Sequence, residues 1–116
     1  MDKQFIDLHL HTSFSDGIFS PEQVANAASE MNLSAISLTD HDTIEGCSYL
    51  EEHCIKKGIE FIPGTELSVD IEGNEMHLLG YFLDINNQRL IKETAQYQQN
   101  RINRIIELVA QLNKMG

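Results

Sequence analysis

The sequence predicts an α/β fold, on three observations. Short apolar runs of strand length alternate with segments whose apolar residues recur every three or four positions, as in strands interleaved with amphipathic helices. Helix start and stop signals fall between these segments rather than inside them. Histidines and acids stand at the C-terminal ends of successive apolar runs, where parallel α/β folds gather their functional groups.

The first run, Phe5-Ile6-Asp7-Leu8, delivers His9 and His11 at its end. Residues i and i+2 of an extended segment point the same way, so the two imidazoles can aim at one ion. A loop through Asp16-Gly17 follows, then Ser20-Pro21-Glu22-Gln23, with Ser as N-cap, Pro at the first helical position and Gln at the capping-box position. The helix it starts carries Val24, Ala27, Ala28 and Met31 on one apolar face. Ala35-Ile36-Ser37-Leu38-Thr39 reads as the second strand and ends in Asp40-His41-Asp42. Thr43 is placed to cap a second helix with Ile44, Cys47, Leu50, Cys54 and Ile55, which Lys56-Lys57-Gly58 closes with cations at the negative end of the helix dipole and Gly just beyond.

Glu60-Phe61-Ile62-Pro63-Gly64 begins a third strand. The alternating stretch Thr65–Ile71, a turn over Glu72-Gly73-Asn74-Glu75 and the run Met76–Leu83 then read as a hairpin. From Asn87 to Met115 the pattern is helical, with Leu90, Ile91, Thr94, Tyr97, Ile102, Ile105, Val109 and Leu112 in one stripe. So long a helix needs a surface to pack on. We therefore divide the chain into β/α units over residues 1–86 and a long amphipathic helix over 87–116, and expect the first part of a longer protein or a piece cut at a domain boundary. The uncovered stripe predicts self-association through this helix.

Composition narrows the function classes. The 116 residues fit one domain with a modest core, and 41% apolar with 22% charged is neither disordered nor fibrous. Eighteen acids against eight basic residues give a formal charge of −10. With no basic patch, an electrostatic nucleic-acid coat is excluded. Each bound divalent cation would offset two of the negative charges, which makes a phosphorylated small molecule or short oligonucleotide an acceptable substrate. Cys47 and Cys54 share one helix face about 10 Å apart along its axis, too far for an unstrained disulfide. They read as buried thiols in a reducing compartment. The N-terminus lacks signal-peptide organisation and no apolar run approaches the roughly 20 residues of a membrane span, so the expectation is a cytoplasmic protein with no membrane partner.

His9, His11, Asp16, His41, Glu66 and His77 are the candidate metal ligands. Mixed imidazole and carboxylate donors suit Zn, Mn or Fe in hydrolytic sites, and the absence of a ligating cysteine argues against a structural zinc finger. Without a cation, Asp16, Asp40 and Glu66 brought together would raise each other's pKa. Asp40 is expected to orient an imidazole from behind, and Asp7 to be structural. His53 reads as a surface residue. Arg101 and Arg104 are either a solvated helix face or a clamp for a substrate phosphate.

The strings DLHLHTSFSDG (7–17), SLTDHDTIEG (37–46), IPGTELS (62–68) and MHLLGY (76–81) resemble the N-terminal portion of PHP-domain proteins, the polymerase and histidinol phosphatase superfamily, over about residues 5–115. The similarity is greatest to the stand-alone bacterial phosphoesterases that act on nucleoside 3′,5′-bisphosphates and trim 5′ ends of short RNA. The resemblance implies the N-terminal part of a distorted seven-stranded β/α barrel, incomplete in this chain, holding two or three divalent ions (Mn, Fe or Zn). It implies that His9, His11 and Glu66 ligate one ion, that Glu66 bridges to a second held also by His77, and that Asp16 and His41 hold a third. It further implies a later histidine and an Asp-x-His pair from strands beyond the position of Gly116, and an inserted helical subdomain after the Arg101–Arg104 helix. The expected function is metal-dependent hydrolysis of phosphate esters. The alternative is a non-catalytic metal-binding module or an inactive fragment.

Overall fold

In the computed structural model, which describes residues 4–116, the alternation becomes β1 (Phe5–Leu10), α1 (Pro21–Glu30), β2 (Leu33–Leu38), α2 (Glu45–Lys57), β3 (Glu60–Ile71), β4 (Asn74–Tyr81) and α3 (Gln88–Met115). Met1, Asp2 and Lys3, part of the N-terminus read as lacking a signal peptide, lie outside the described residues. The strands form one sheet in the order β1-β2-β3-β4, the first three parallel and β4 antiparallel to β3. The two parallel crossovers run through α1 and α2, so the carboxyl ends of β1 and β2 open on the same side.

Helix α1 starts on the expected capping box. The Ser20 hydroxyl accepts from Gln23 N at 3.3 Å, and Gln23 Oε1 accepts from Ser20 N at 2.9 Å. Its buried face is Pro21, Val24, Ala25 and Ala28. Met31, expected on that face, is the C-cap and 68% exposed, because the chain leaves the helix there and Asn32 enters the left-handed region.

Helix α2 begins one residue later than Thr43 capping would give. Ile44 is the N-cap and makes no side-chain cap bond, while Thr43 Oγ1 accepts from Glu45 N at 3.2 Å. Gly46, Cys47, Leu50 and Cys54 line its buried side, and Gly58 ends it at φ 69°. Ile55 is exposed, against expectation: it follows Cys54 by one residue, about 100° further round the helix. The core lies between the two helices and the sheet, around Val24, Ala25, Ile36, Leu38, Leu50 and Ile59. Both cysteines are free and buried within it.

Strand β3 is one continuous span that changes partner midway. Glu60–Pro63 pairs with β2, and Gly64–Ile71 pairs with β4. Gly64 stands at the change, where a Cβ would lie 2.8 Å from both the Gly80 carbonyl oxygen and the Ser37 hydroxyl, so only glycine lets both neighbours close in. The hairpin turn is tighter than expected. Glu72 and Gly73 alone make it, at φ 52° and 81°, and Asn74 already pairs with Ile71. Two successive left-handed residues give the turn whose twist matches a two-residue hairpin.

Asn87 caps α3 by accepting from Leu90 N at 3.0 Å. Leu83, Ile85 and Leu90 pack against the core, and Thr94 is the one buried residue of α3. The stripe beyond it, including Ile102, Ile105, Val109 and Leu112, is exposed. The helix runs on past the sheet and gives the molecule extents of 59 × 33 × 24 Å. Among the described residues, no helix is long and apolar enough to cross a membrane.

Candidate metal centre

The parallel sheet brings three chain segments to one place. β1 carries His9 and is followed directly by His11, β2 is followed after Thr39 by Asp40-His41-Asp42, and β3 carries Glu66. The antiparallel β4 adds His77, whose register partner is Ser68, two residues from Glu66 and so on the same face of the sheet.

Local bonds fix each segment. The buried Asp40 carboxylate accepts from Thr12 N at 2.6 Å, from the Thr12 hydroxyl at 2.7 Å and from the Ser15 hydroxyl at 2.8 Å. The Thr12 carbonyl accepts in turn from Ser15 N and Gly17 N. This knot folds the loop back so that Asp16 overhangs His11 and His41. Glu66 N donates to the Asp40 carbonyl at 3.0 Å and Asp42 N donates to the Glu66 carbonyl at 2.9 Å, so His41 and Glu66 sit side by side as a parallel bridge. Thr65 Oγ1 donates to the carbonyls of Asp40 and Thr43, and the Tyr81 hydroxyl donates to the Leu8 carbonyl at 2.7 Å, fastening β1 to the hairpin side.

Glu66 is the hub. Its Oε1 lies 2.7 Å from His9 Nε2 and 3.5 Å from His11 Nε2, and its Oε2 lies 2.8 Å from His77 Nδ1 and 3.5 Å from His41 Nδ1. Asp16 reaches His11 Nδ1 at 3.4 Å and His41 Nε2 at 3.2 Å. The rings of His11 and His41 stack at 4.6 Å. Each of these two imidazoles thus stands between two carboxylates.

The donor atoms fall into overlapping groups, His9/His11/Glu66, His11/Asp16/His41 and His41/Glu66/His77, each within 4.8 Å. The residues fit divalent ions on two grounds. Among the described residues, His11 Nδ1 and His41 Nδ1 are buried with no hydrogen-bond partner, each only facing a carboxylate oxygen at 3.4 or 3.5 Å, a pairing that a shared cation would complete. Donors each about 2.1 Å from one ion stand about 3.0–3.4 Å apart, and the His11–Asp16 and His41–Asp16 separations of 3.4 and 3.2 Å fall in that range.

Burial pushes the Glu66 carboxyl up, but the hydrogen bond from His9 and the charges of His41, His9 and His11 outweigh it and hold the group below its ordinary value. For Glu66 this corrects the expectation that neighbouring acids would raise it: four imidazoles surround its carboxylate.

All six candidate ligands meet here. His11 also falls in the group of Asp16 and His41, and His41 in that of Glu66 and His77, a sharing absent from the expected partition. Asp40 holds the Thr12–Ser15 loop and has no imidazole among its hydrogen-bond partners, which corrects its expected role. Asp7 accepts from His9 N at 3.1 Å, bracing the strand end. His53 is half-buried on α2, outside the cluster. Arg101 Nη1 lies 3.3 Å from Asp42 Oδ2, and Arg104 Nη2 lies 4.0 Å from Glu75. Both arginines line a cleft of about 1090 Å³ between the hairpin and α3, whose lining includes Asp42, the residue after His41, and Ser68, the register partner of His77. Sequence reasoning missed Thr12, Ser15, Asp42 and Tyr81. Only Asp42, in a run of three ionisable residues, carried a signal that could have drawn notice.

Residues 7–114 match the model of the PHP domain family. The chain is 36% identical over 107 residues to the 5′-3′ exoribonuclease Rnm of Escherichia coli, covering 90% of this chain and 36% of that protein. It is 30% identical over 111 residues to a 3′,5′-nucleoside bisphosphate phosphatase of Chromobacterium violaceum, covering 96% and 39%. A solved structure from Bifidobacterium adolescentis, assigned as a metal-dependent phosphoesterase, superposes with a TM-score of 0.86 at 28% identity, covering 97% of this chain and 40% of that one. The chain thus spans about two-fifths of the length of these relatives. With the motif-bearing strands, the α/β half-barrel and the match over nearly its whole length in agreement, the chain belongs to the PHP domain family.

Proposed function

We propose that this chain forms one wall of the active centre of a metal-dependent phosphoesterase that hydrolyses phosphate esters of nucleotides or short oligonucleotides. The observation that carries the reading is the convergence of four imidazoles on Glu66, with Asp16 bridging two of them from the other side. His9, His11 and Glu66 would hold one ion, Glu66 and His77 with His41 a second, and Asp16, His41 and His11 a third. Mixed nitrogen and oxygen donors suit Mn, Fe or Zn. Bound there, divalent ions would supply hydroxide at neutral pH and stabilise developing charge, the assistance this slow hydrolysis needs.

The chain's own residues position that chemistry. Asp40 holds the loop that sets Asp16, the 40–42 bridge sets His41 against Glu66, and Arg101 and Arg104 offer guanidinium groups to an anionic substrate along the neighbouring cleft. The names of the matched relatives, an exoribonuclease and a nucleoside bisphosphate phosphatase, support the nucleotide class. We place the protein in a bacterial cytoplasm and infer that the uncovered stripe of α3 drives self-association when this chain stands alone.

The test is made in the natural protein that carries this sequence. Elemental analysis after Mn loading, with turnover of a nucleoside bisphosphate and of a phosphodiester, is compared with His9→Ala and Glu66→Ala. Both substitutions should remove turnover and most of the bound metal while leaving the fold intact. Full activity in either variant refutes the reading.

A further inference from the structure

Asp42 is absent from the donor groups, yet it is buried beside them. Its backbone sits in the left-handed region at φ 54°, a conformation that Asp and Asn tolerate better than most side chains. The chain turns there directly after His41, and the turn lets Asp42 N donate to the Glu66 carbonyl at 2.9 Å. The carboxylate is divided between two elements. Oδ1 accepts from Ser68 N at 2.9 Å, and Oδ2 receives Arg101 Nη1 at 3.3 Å. One residue of the His41 segment thus touches the strand of Glu66 at two points, the Glu66 carbonyl and Ser68 N, and the long helix at Arg101.

We propose that Asp42 is a positioning residue, setting the separation of His41 and Glu66 through its left-handed turn and its bond to Ser68, and holding the Arg101 guanidinium at the edge of the same centre. The inference rests on the cluster's being a metal site. Without the Asp42 turn, the chain after His41 would continue extended and leave the Glu66 carbonyl behind. Without the carboxylate, Ser68 N loses its acceptor at the point where β3 must present Glu66. Among the described residues Oδ1 is met by Ser68 N and Oδ2 by Arg101, so the two oxygens of the carboxylate have separable tasks.

The test uses the whole chain, with Mn(II) affinity read by electron paramagnetic resonance and Co(II) visible absorption as a record of coordination geometry. Asp42→Ala should weaken Mn(II) binding about 10- to 100-fold, the usual effect of removing a group that orients a ligand, and should change the Co(II) spectrum. Asp42→Asn keeps the backbone preference and an oxygen for Ser68 N, and should bind Mn(II) within about threefold of the unaltered chain with the original spectrum. Should the alanine variant fail to fold, Asp42→Gly keeps the turn without the acceptor and should show the same weakening. Unaltered affinity in Asp42→Ala or Asp42→Gly overturns the proposal. Equal weakening in Asp42→Asn overturns it too, since the carboxylate would then act by its charge rather than as an acceptor. Failure of the unaltered chain to bind Mn(II) above a His41→Ala control is a distinct result, which overturns the metal-site reading itself and this proposal with it.

Discussion

Substituting Gly17 should damage the candidate metal centre without touching a ligand. A Cβ at this position would lie 2.7 Å from the His11 carbonyl oxygen, 2.8 Å from the His11 carbonyl carbon and 2.9 Å from the Thr12 carbonyl carbon. All three are backbone atoms of the segment carrying His11, and none can rotate away. Restoring ordinary contact requires the loop to open by about 0.7 Å or more, at an overpacking cost of about 1–3 kcal/mol. The Gly17 N to Thr12 carbonyl bond at 2.9 Å would stretch with it, adding roughly 1 kcal/mol. Alanine returns about 0.4–1 kcal/mol by restricting the unfolded chain, so Gly17→Ala should lose roughly 1–3 kcal/mol in urea denaturation. The same movement carries Asp16 away from His11 and His41, which it meets at 3.4 and 3.2 Å. Calorimetric Mn(II) titration should then show weakened binding in the Asp16 group, with the group of His41, Glu66 and His77 less affected. Unchanged stability together with unchanged titration would refute the reasoning.

Three further outcomes are expected. Asp40→Ala leaves the buried Thr12 N and two hydroxyls without their acceptor, and should cost roughly 3 kcal/mol or more in denaturant unfolding; a loss under 1 kcal/mol would show that the loop is held otherwise. Burial pushes the thiols of Cys47 and Cys54 from 9.0 up to about 11. A raised folded pKa means stability fully present below pH 9 and lost as pH rises through about 11, by roughly 2–3 kcal/mol per thiol at most. Melting curves from pH 8 to 11 check this, and Cys47→Ala/Cys54→Ala should flatten the slope. Light scattering should find concentration-dependent self-association of the isolated chain, abolished by Ile105→Glu with Val109→Glu; a strict monomer at high concentration would remove α3 as an interface.

The α/β alternation was legible because its signals are local. Ser20 with Gln23 and the left-handed Gly58 act within one helical turn, and period alone separates strand from helix. Three of the candidate ligands, His9, His11 and His41, were noticeable because they stand at or just past the ends of the parallel strands β1 and β2, whereas Glu66 and His77 lie within β3 and the antiparallel β4, and Asp16 in a loop. What stayed hidden depends on distant partners. Asp40 looked like an orienter of imidazoles because it adjoins His41, yet its carboxylate turns to a loop 25 to 28 residues earlier in the chain. Met31 and Ile55 fit an apolar periodicity but fall just past the buried arc, a matter of where a helix ends and how it is rotated on its neighbour. The hairpin turn slipped from four residues to two because Glu72, a poor candidate for a left-handed conformation, adopts one.

The change of partner along β3 has a consequence for how this sequence can vary. Side chains on a strand alternate faces, so inserting or deleting one residue between Pro63 and Thr65 would turn Glu66 to the opposite face and leave four imidazoles without their shared carboxylate. The tip at Glu72-Gly73 lies beyond the last pair of the ladder, Ile71 with Asn74, where extra residues lengthen a loop and alter no register. Length variation among proteins with this centre should therefore collect at the hairpin tip, and the few residues from Pro63 to Glu66 should keep a fixed count.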